Sequence, residues 1–289
     1  MTRFIPFIFV VLWSTGFIGA KFGLPYAEPF TLLMWRMLIV VPLFFCLVVI
    51  LKRPRISNKD ALTQGLVGLL IHGFYLGGIF AAINTGIPAG LSSLFVSLNP
   101  LLIAVFSGIF LHVAISKREW FCLLLGFVGV SIVLYGTSRW EGVVTLIGIA
   151  WLVLALFGIC SGSLIQKKYG QNVGLMRGSM YQYSASLILY LLLSFTVETG
   201  KVDWSLTFIA TLAWLVIGLS FAAVLLLMHM IKNGEATRVA SYFYLVPPIT
   251  VFQGWLFFDE KLNGLIILGG SIVVLALILN RPPKVTSND

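Results

Sequence analysis

The sequence predicts an all-α integral membrane protein with ten transmembrane helices arranged as two inverted five-helix repeats. Composition sets the class: 59% of the 289 residues are hydrophobic, 10% are charged, and the mean hydropathy is +1.02. A soluble domain carries about 25% charged residues. The second observation is a series of apolar runs, each close to the roughly 20 residues that cross a bilayer as a helix. The third is a self-similarity at an offset of 147 residues, which divides the chain into halves of five runs each.

Each run is bounded by charges, Pro/Gly turns or polar clusters. Run 4–23 opens after Arg3 and closes at Lys21-Phe22-Gly23. It reads as a span, not a signal peptide, because a cut after Ala20 would put Ile18 where a small residue is wanted. Run 30–51 follows Glu28-Pro29 and stops at Lys52-Arg53; run 61–83 follows Lys59-Asp60; run 90–111 has Pro100 at its midpoint. Run 120–136 lies between Glu119 and Arg139, run 143–165 between Glu141 and Lys167-Lys168, and run 178–197 between Arg177 and Glu198. Run 206–230 follows Asp203, run 238–257 carries Pro247-Pro248 at mid-length, and run 263–280 ends at Arg281. Leu62–Phe80 and Leu265–Leu279 do not alternate apolar with polar residues, so the strands of a β-barrel are excluded. The expected units are a first repeat at 1–139, a second at 140–281 and a short cytoplasmic tail at 282–289.

The net charge of +9 is distributed in a way that excludes a nucleic-acid surface. With ten spans, 14 of the 19 Lys/Arg fall in loops and termini on one side, including the pairs Lys52-Arg53, Lys117-Arg118 and Lys167-Lys168. Cytoplasmic loops carry this excess, so both termini are expected in the cytoplasm of a bacterial inner-membrane protein. The three Cys (Cys46, Cys122 and Cys160) lie in apolar runs and suggest neither a disulfide framework nor a zinc site. The three His (His72, His112 and His229) show no metal-ligand spacing, and no cofactor is expected.

The offset aligns Lys21-Phe22-Gly23 with Lys168-Tyr169-Gly170, Ser14 with Ser161 and Pro100 with Pro247. An odd number of spans per half inverts the second copy, which is the plan of secondary transporters with a central site. Leu12-Trp13-Ser14, Lys21, Glu28-Pro29-Phe30 and Arg36 resemble the opening of EamA-type members of the drug/metabolite transporter superfamily. Leu245-Val246-Pro247, Gly254-Trp255-Leu256 and Asp259-Glu260-Lys261-Leu262 resemble that family's pattern near its ninth helix. The chain departs from the pattern after the fourth run, where Leu111-His112-Val113-Ala114 replaces the usual Gly-Glu pair. The resemblance implies export or exchange of small metabolites, and it alone points to an amino acid among them.

Ionisable groups at membrane depth are functional candidates by default. No Asp or Glu falls near the middle of a run, which argues against a polycation exporter. His72 lies at the midpoint of the third run with Tyr75 on the same face. Lys21 at the mouth of the first run is placed either to attract a substrate carboxylate or to anchor the helix end. Arg36 lies about 9 Å into the second run, where snorkelling or a hydrogen bond to a neighbour is expected. Pro100 and Pro247-Pro248 free backbone acceptors at matching depths, and such paired interruptions point to a transport site flanked by Ser97 and Tyr244. The expected substrate-binding set is Trp13, Ser14, Lys21, His72, Tyr75, Ser97, Trp151, Ser161 and Tyr244.

The function expected from these features is secondary transport, outward, of a small neutral, zwitterionic or anionic metabolite by alternating access. The partners are that small molecule and the lipid bilayer; nothing sets an oligomeric state, and a monomer suffices. A multidrug exporter is the alternative within transport. A membrane-embedded lipid-processing enzyme is the alternative outside it, and lacks the clustered catalytic groups it would need.

Overall fold

The computed structural model describes residues 4–99, 101–103, 105–106, 116–141, 144–170, 173–223, 226 and 245–279. Among these residues the structure is helical, apart from one isolated antiparallel bridge between Ala27 and Val202. The helices are α1 (Ile5–Gly23), α2 (Pro29–Ile50), α3 (Asn58–Asn84), α4 (Ala89–Val96) and α5 (Lys117–Glu141). They continue as α6 (Leu146–Tyr169), α7 (Leu175–Thr196), α8 (Leu206–Ala223), α9 (Val246–Phe258) and α10 (Gly264–Leu279).

Six of them, α1, α2, α3, α6, α8 and the Lys117–Gly136 part of α5, are long and apolar enough to cross a membrane. Large apolar side chains face outward in mid-helix, as at Ile188 and Ile217. In a soluble protein such a surface would be an association liability; against lipid it is the solvated one. Backbone groups at that depth must be satisfied within the protein, which is why the chain is helical there.

Local sequence sets where helices begin. Pro29 starts α2, where its missing N–H costs nothing. Ser57, Thr145 and Ser205 cap α3, α6 and α8 by accepting the N–H of Asp60, Gly148 and Phe208. Two helices depart from regular α geometry, and the apolar runs carried no sign of it. Leu69–Tyr75 of α3 and Trp214–Ala223 of α8 are wound as π-helix, and the 147-residue offset superimposes them. Short π segments are frequent at functional sites.

The duplication is visible in how helices pair. α2 runs antiparallel to α7: Thr31 meets Ser194 at 2.8 Å, Phe44 stacks on Tyr183, and Arg177 reaches the carbonyl of Pro54. α5 runs antiparallel to α10, with Gly129 against Gly269 and Asn263 donating to the Gly136 carbonyl at 3.1 Å. Each pair joins helices that occupy the same place in the two repeats, so the second copy is inverted. The expected run boundaries shift at several ends. α3 starts at Asn58 because Ser57 caps it, and α5 extends to Glu141. Residues 227–244, and with them the expected start of the ninth run, lie outside the described residues.

Candidate functional site

A cavity of about 120 Å³ lies between the two repeats. The first repeat lines it with Trp13 and Phe17 of α1, Arg36 of α2, and His72 and Tyr75 of α3. The second contributes Ile159 of α6, Tyr183 of α7 and Leu219 of α8. The π segments supply His72 and Leu219, so both irregular windings border this space.

Several polar groups around this space are held by neighbours. The Tyr190 hydroxyl reaches the His72 carbonyl at 2.6 Å and the Gly73 carbonyl at 2.8 Å, and Ser186 donates to the Gly68 carbonyl at 2.9 Å. Hydroxyls of α7 thereby serve acceptors in and beside the π turn of α3. The His72 ring stacks on Tyr183 at 4.3 Å between centroids. Gly158 lets α6 approach: a Cβ there would stand 2.6 Å from the Leu70 carbonyl oxygen and 2.9 Å from the Tyr75 nitrogen. This is the close packing that the Gly158/Gly162 spacing predicts.

Arg36 is buried, at 5% exposure. Its Nε and Nη2 lie 3.3 and 3.1 Å from Ser220 Oγ, and no carboxylate pairs with it among the described residues. The neighbour hydrogen bond expected of Arg36 is present, and the side chain also lines the cavity. The expected substrate set omitted Arg36 and Tyr183. Tyr183 stands 147 residues after Arg36, so the repeat offset applied to Arg36 was the available signal.

The other expected site residues divide. Trp13, His72 and Tyr75 share the cavity. Ser14 is fully buried, bonded to the Val11 carbonyl and, at 3.0 Å, to Gln253 Oε1 of α9. Lys21, placed by the sequence either to attract a substrate carboxylate or to anchor the helix end, is paired with Glu260 at 2.8 Å and lies over the Phe258 ring. Ser97 donates to the Leu94 carbonyl in the turn ending α4. Trp151 packs edge-on to Phe30, and Ser161 is half-buried on α6. Neither of these two borders the cavity. Tyr244 and Pro100 lie outside the described residues.

Glu260 owes its position to a reversal at the end of α9. Asp259 adopts the left-handed conformation at φ 52°, which Asp tolerates better than most residues. The carboxylate then folds back over Gly254, where a Cβ would lie 2.3 Å from Oε2. It accepts from Lys21 and from the N–H groups of Ala89 and Gly90 at the start of α4, at 2.9 and 3.3 Å. A carboxylate at a helix N-terminus is favoured by the dipole there. Three helices, α1, α4 and α9, are therefore clasped at one mouth. Beside them, Glu198 accepts from the Phe30 and Thr31 N–H groups, and Glu28 accepts from Thr199. Burial raises the Glu198 carboxyl above its ordinary range, against the pull of those hydrogen bonds.

A wider space of about 580 Å³ lies between α1, α8 and the end of α9, lined by Thr15, Phe22, Trp214 and Phe257 among others. Its lining has no charged side chain among the described residues, whereas Arg36 and His72 line the smaller cavity.

An inverted helical duplication that encloses a largely apolar cavity with one buried cation is the architecture of a membrane transporter. The chain belongs to the EamA-like transporter family, whose pattern matches it twice, over residues 4–135 and 146–281. It is 26% identical to the uncharacterized transporter YvbV of Bacillus subtilis, over 93% of this chain and 88% of that protein. It is 24% identical to a protein of Escherichia coli named "Probable amino-acid metabolite efflux pump", over 96% of this chain and 93% of that one. A solved crystal structure superposes with a TM-score of 0.65 at 16% identity, over 99% of this chain and 98% of that chain, and shares the fold.

Proposed function

We propose that this multi-pass membrane transporter exports small amino-acid-like metabolites, neutral, zwitterionic or anionic, by alternating access around the cavity between its repeats. The observation that carries this reading is the lining of that cavity: helices from both halves border one space in which a cation and stacked aromatic rings are sheltered from lipid. Ten spans in a bacterial inner membrane, with both termini cytoplasmic, complete the proposal, and the clasped mouth then faces outward. The chain works without a cofactor or nucleic acid, its partners are the cargo and the bilayer, and a single copy suffices.

Support for the cargo class comes from the relative named as an amino-acid metabolite efflux pump. The cavity volume argues against the multidrug alternative, since pockets for drug-sized ligands occupy about 300–1,000 Å³. The test is metabolite profiling of cells with and without the gene, inside and outside, followed by exchange in proteoliposomes. Selective outward accumulation of amino-acid-like compounds is the expected result. Unchanged profiles, with no exchange by the purified protein, would refute the reading.

A further inference from the structure

We propose that Arg36 is the recognition group for a carboxylate on the cargo, so that the substrate is a small monocarboxylate with a compact apolar or aromatic body. This rests on the transport reading above and narrows its substrate class. The warrant is an incomplete charge balance. Arg36 is nineteen-twentieths buried and faces the cavity, yet among the described residues its hydrogen-bond partner is one hydroxyl, Ser220 Oγ. A guanidinium carries five donors and cannot lose its proton in a protein. Buried charges are normally paired, and removing the partner of one is strongly unfavourable. Here the cargo supplies the partner.

Two further observations fix the kind of anion. Lys21, the other cation that the sequence places near this end, is already engaged by Glu260 and adds no charge to the cavity. One guanidinium balances one negative charge, so a carboxylate fits and a phosphate dianion leaves an excess charge in an apolar surround. Planar bidentate pairing with a carboxylate is the geometry that Arg favours. Trp13 and Tyr75 line the same space beside the remainder of the molecule, and aromatic rings accept either an apolar body or an ammonium.

The experiment measures the thermal stability of the purified full-length protein with four probes: leucine, 4-methyl-2-oxopentanoate, leucinamide and inorganic phosphate. The two carboxylates should stabilise the wild type saturably, and leucinamide and phosphate should not. Arg36→Gln should raise the concentration needed about tenfold or more, the loss expected of a hydrogen bond to a charged group. Arg36→Lys should fall between. Ser220→Ala separates recognition from structure, because it removes the partner of Arg36 and keeps the guanidinium. Carboxylate binding should survive in Ser220→Ala; a loss equal to that in Arg36→Gln would assign the pair a structural role and overturn the proposal. Equal stabilisation by leucine and leucinamide, or none by either carboxylate, would also overturn it. An export phenotype in metabolite profiling would in those cases leave the transport reading standing.

Discussion

Arg36 on α2 and Tyr183 on α7 stand 147 residues apart in the sequence and face each other's helices across one cavity. The repeat gives them equivalent places, and divergence has made them different: one copy supplies a charge, the other a ring against which His72 stacks. Function has been divided between positions that began as duplicates.

Cysteine substitution tests whether that space takes up water. In a background lacking Cys46, Cys122 and Cys160, His72→Cys and Tyr75→Cys should react with a small water-soluble thiol reagent. Ile188→Cys, exposed at mid-helix on α7, should not, because lipid covers it. Resistance at 72 and 75 in both membrane orientations would remove the cavity from the transport path.

The ion pair between Lys21 and Glu260 can be weighed by a double-mutant cycle. Lys21→Met and Glu260→Gln should each destabilise the protein, and the double variant should lose less than the two single losses added together. Lys21 keeps 31% exposure, so solvent screens part of the attraction and the coupling should be about 1 kcal/mol. Denaturation in detergent measures it. Strict additivity would mean that the two side chains do not act together.

Helix packing against the π turn is tested at a glycine. Gly158→Ala places a methyl against the backbone of α3 and should cost about 1–3 kcal/mol. Gly264→Ala, with nothing within 4 Å of its Cβ position, should stay within about 0.5 kcal/mol of the wild type. Equal effects would place the α3–α6 interface elsewhere.

The Lys/Arg bias sets a topology prediction. A reporter active only outside the cytoplasm, fused after Asp289, should stay silent, and the same reporter inserted after Thr199 should be active. Activity after Asp289 would mean an odd number of crossings.

Much of this fold was legible because helix, span and repeat leave marks along a single line of residues. Apolar length gave the spans, Glu28-Pro29 marked the start of the second run, and matched residues at one offset gave the duplication, whereas the third run starts at Asn58 and not at 61 because Ser57 caps it. What was lost depends on rotation about a helix axis, which depth alone does not supply. For Arg36 the sequence leaves snorkelling and a hydrogen bond to a neighbour both open, and only the structure shows that it turns inward to Ser220, 184 residues away. Glu260 read as a loop acid because its carboxylate is carried back by the left-handed turn at Asp259, a conformation that the residue types around it do not announce. The π windings left no trace either, since changing which carbonyl an N–H selects does not alter the apolar pattern.

The clasp of α1 to α9 has a consequence for direction. Ser14 with Gln253 and Lys21 with Glu260 form two polar pairs, seven residues apart along each segment, with Glu260 just past the end of α9. The second copy keeps Ser161 and Lys168 on α6. At the matching places in and just after the fourth run, however, the first copy has Phe106 or Ser107 and Val113 or Ala114, and no carboxylate. A perfectly doubled carrier would rest equally often with either mouth open. In the proposed alternating-access cycle, an ion pair at this mouth with no matching acid in the other half of the sequence would give the empty carrier a resting position, with its cavity turned toward the cytoplasm in the proposed topology. Such a bias cannot change the final gradient, which the driving force sets, but it changes which side the vacant carrier serves first. In the proposed exporter the directional preference would then lie in the mismatch between the two halves of the sequence, and the cavity itself would be indifferent to direction.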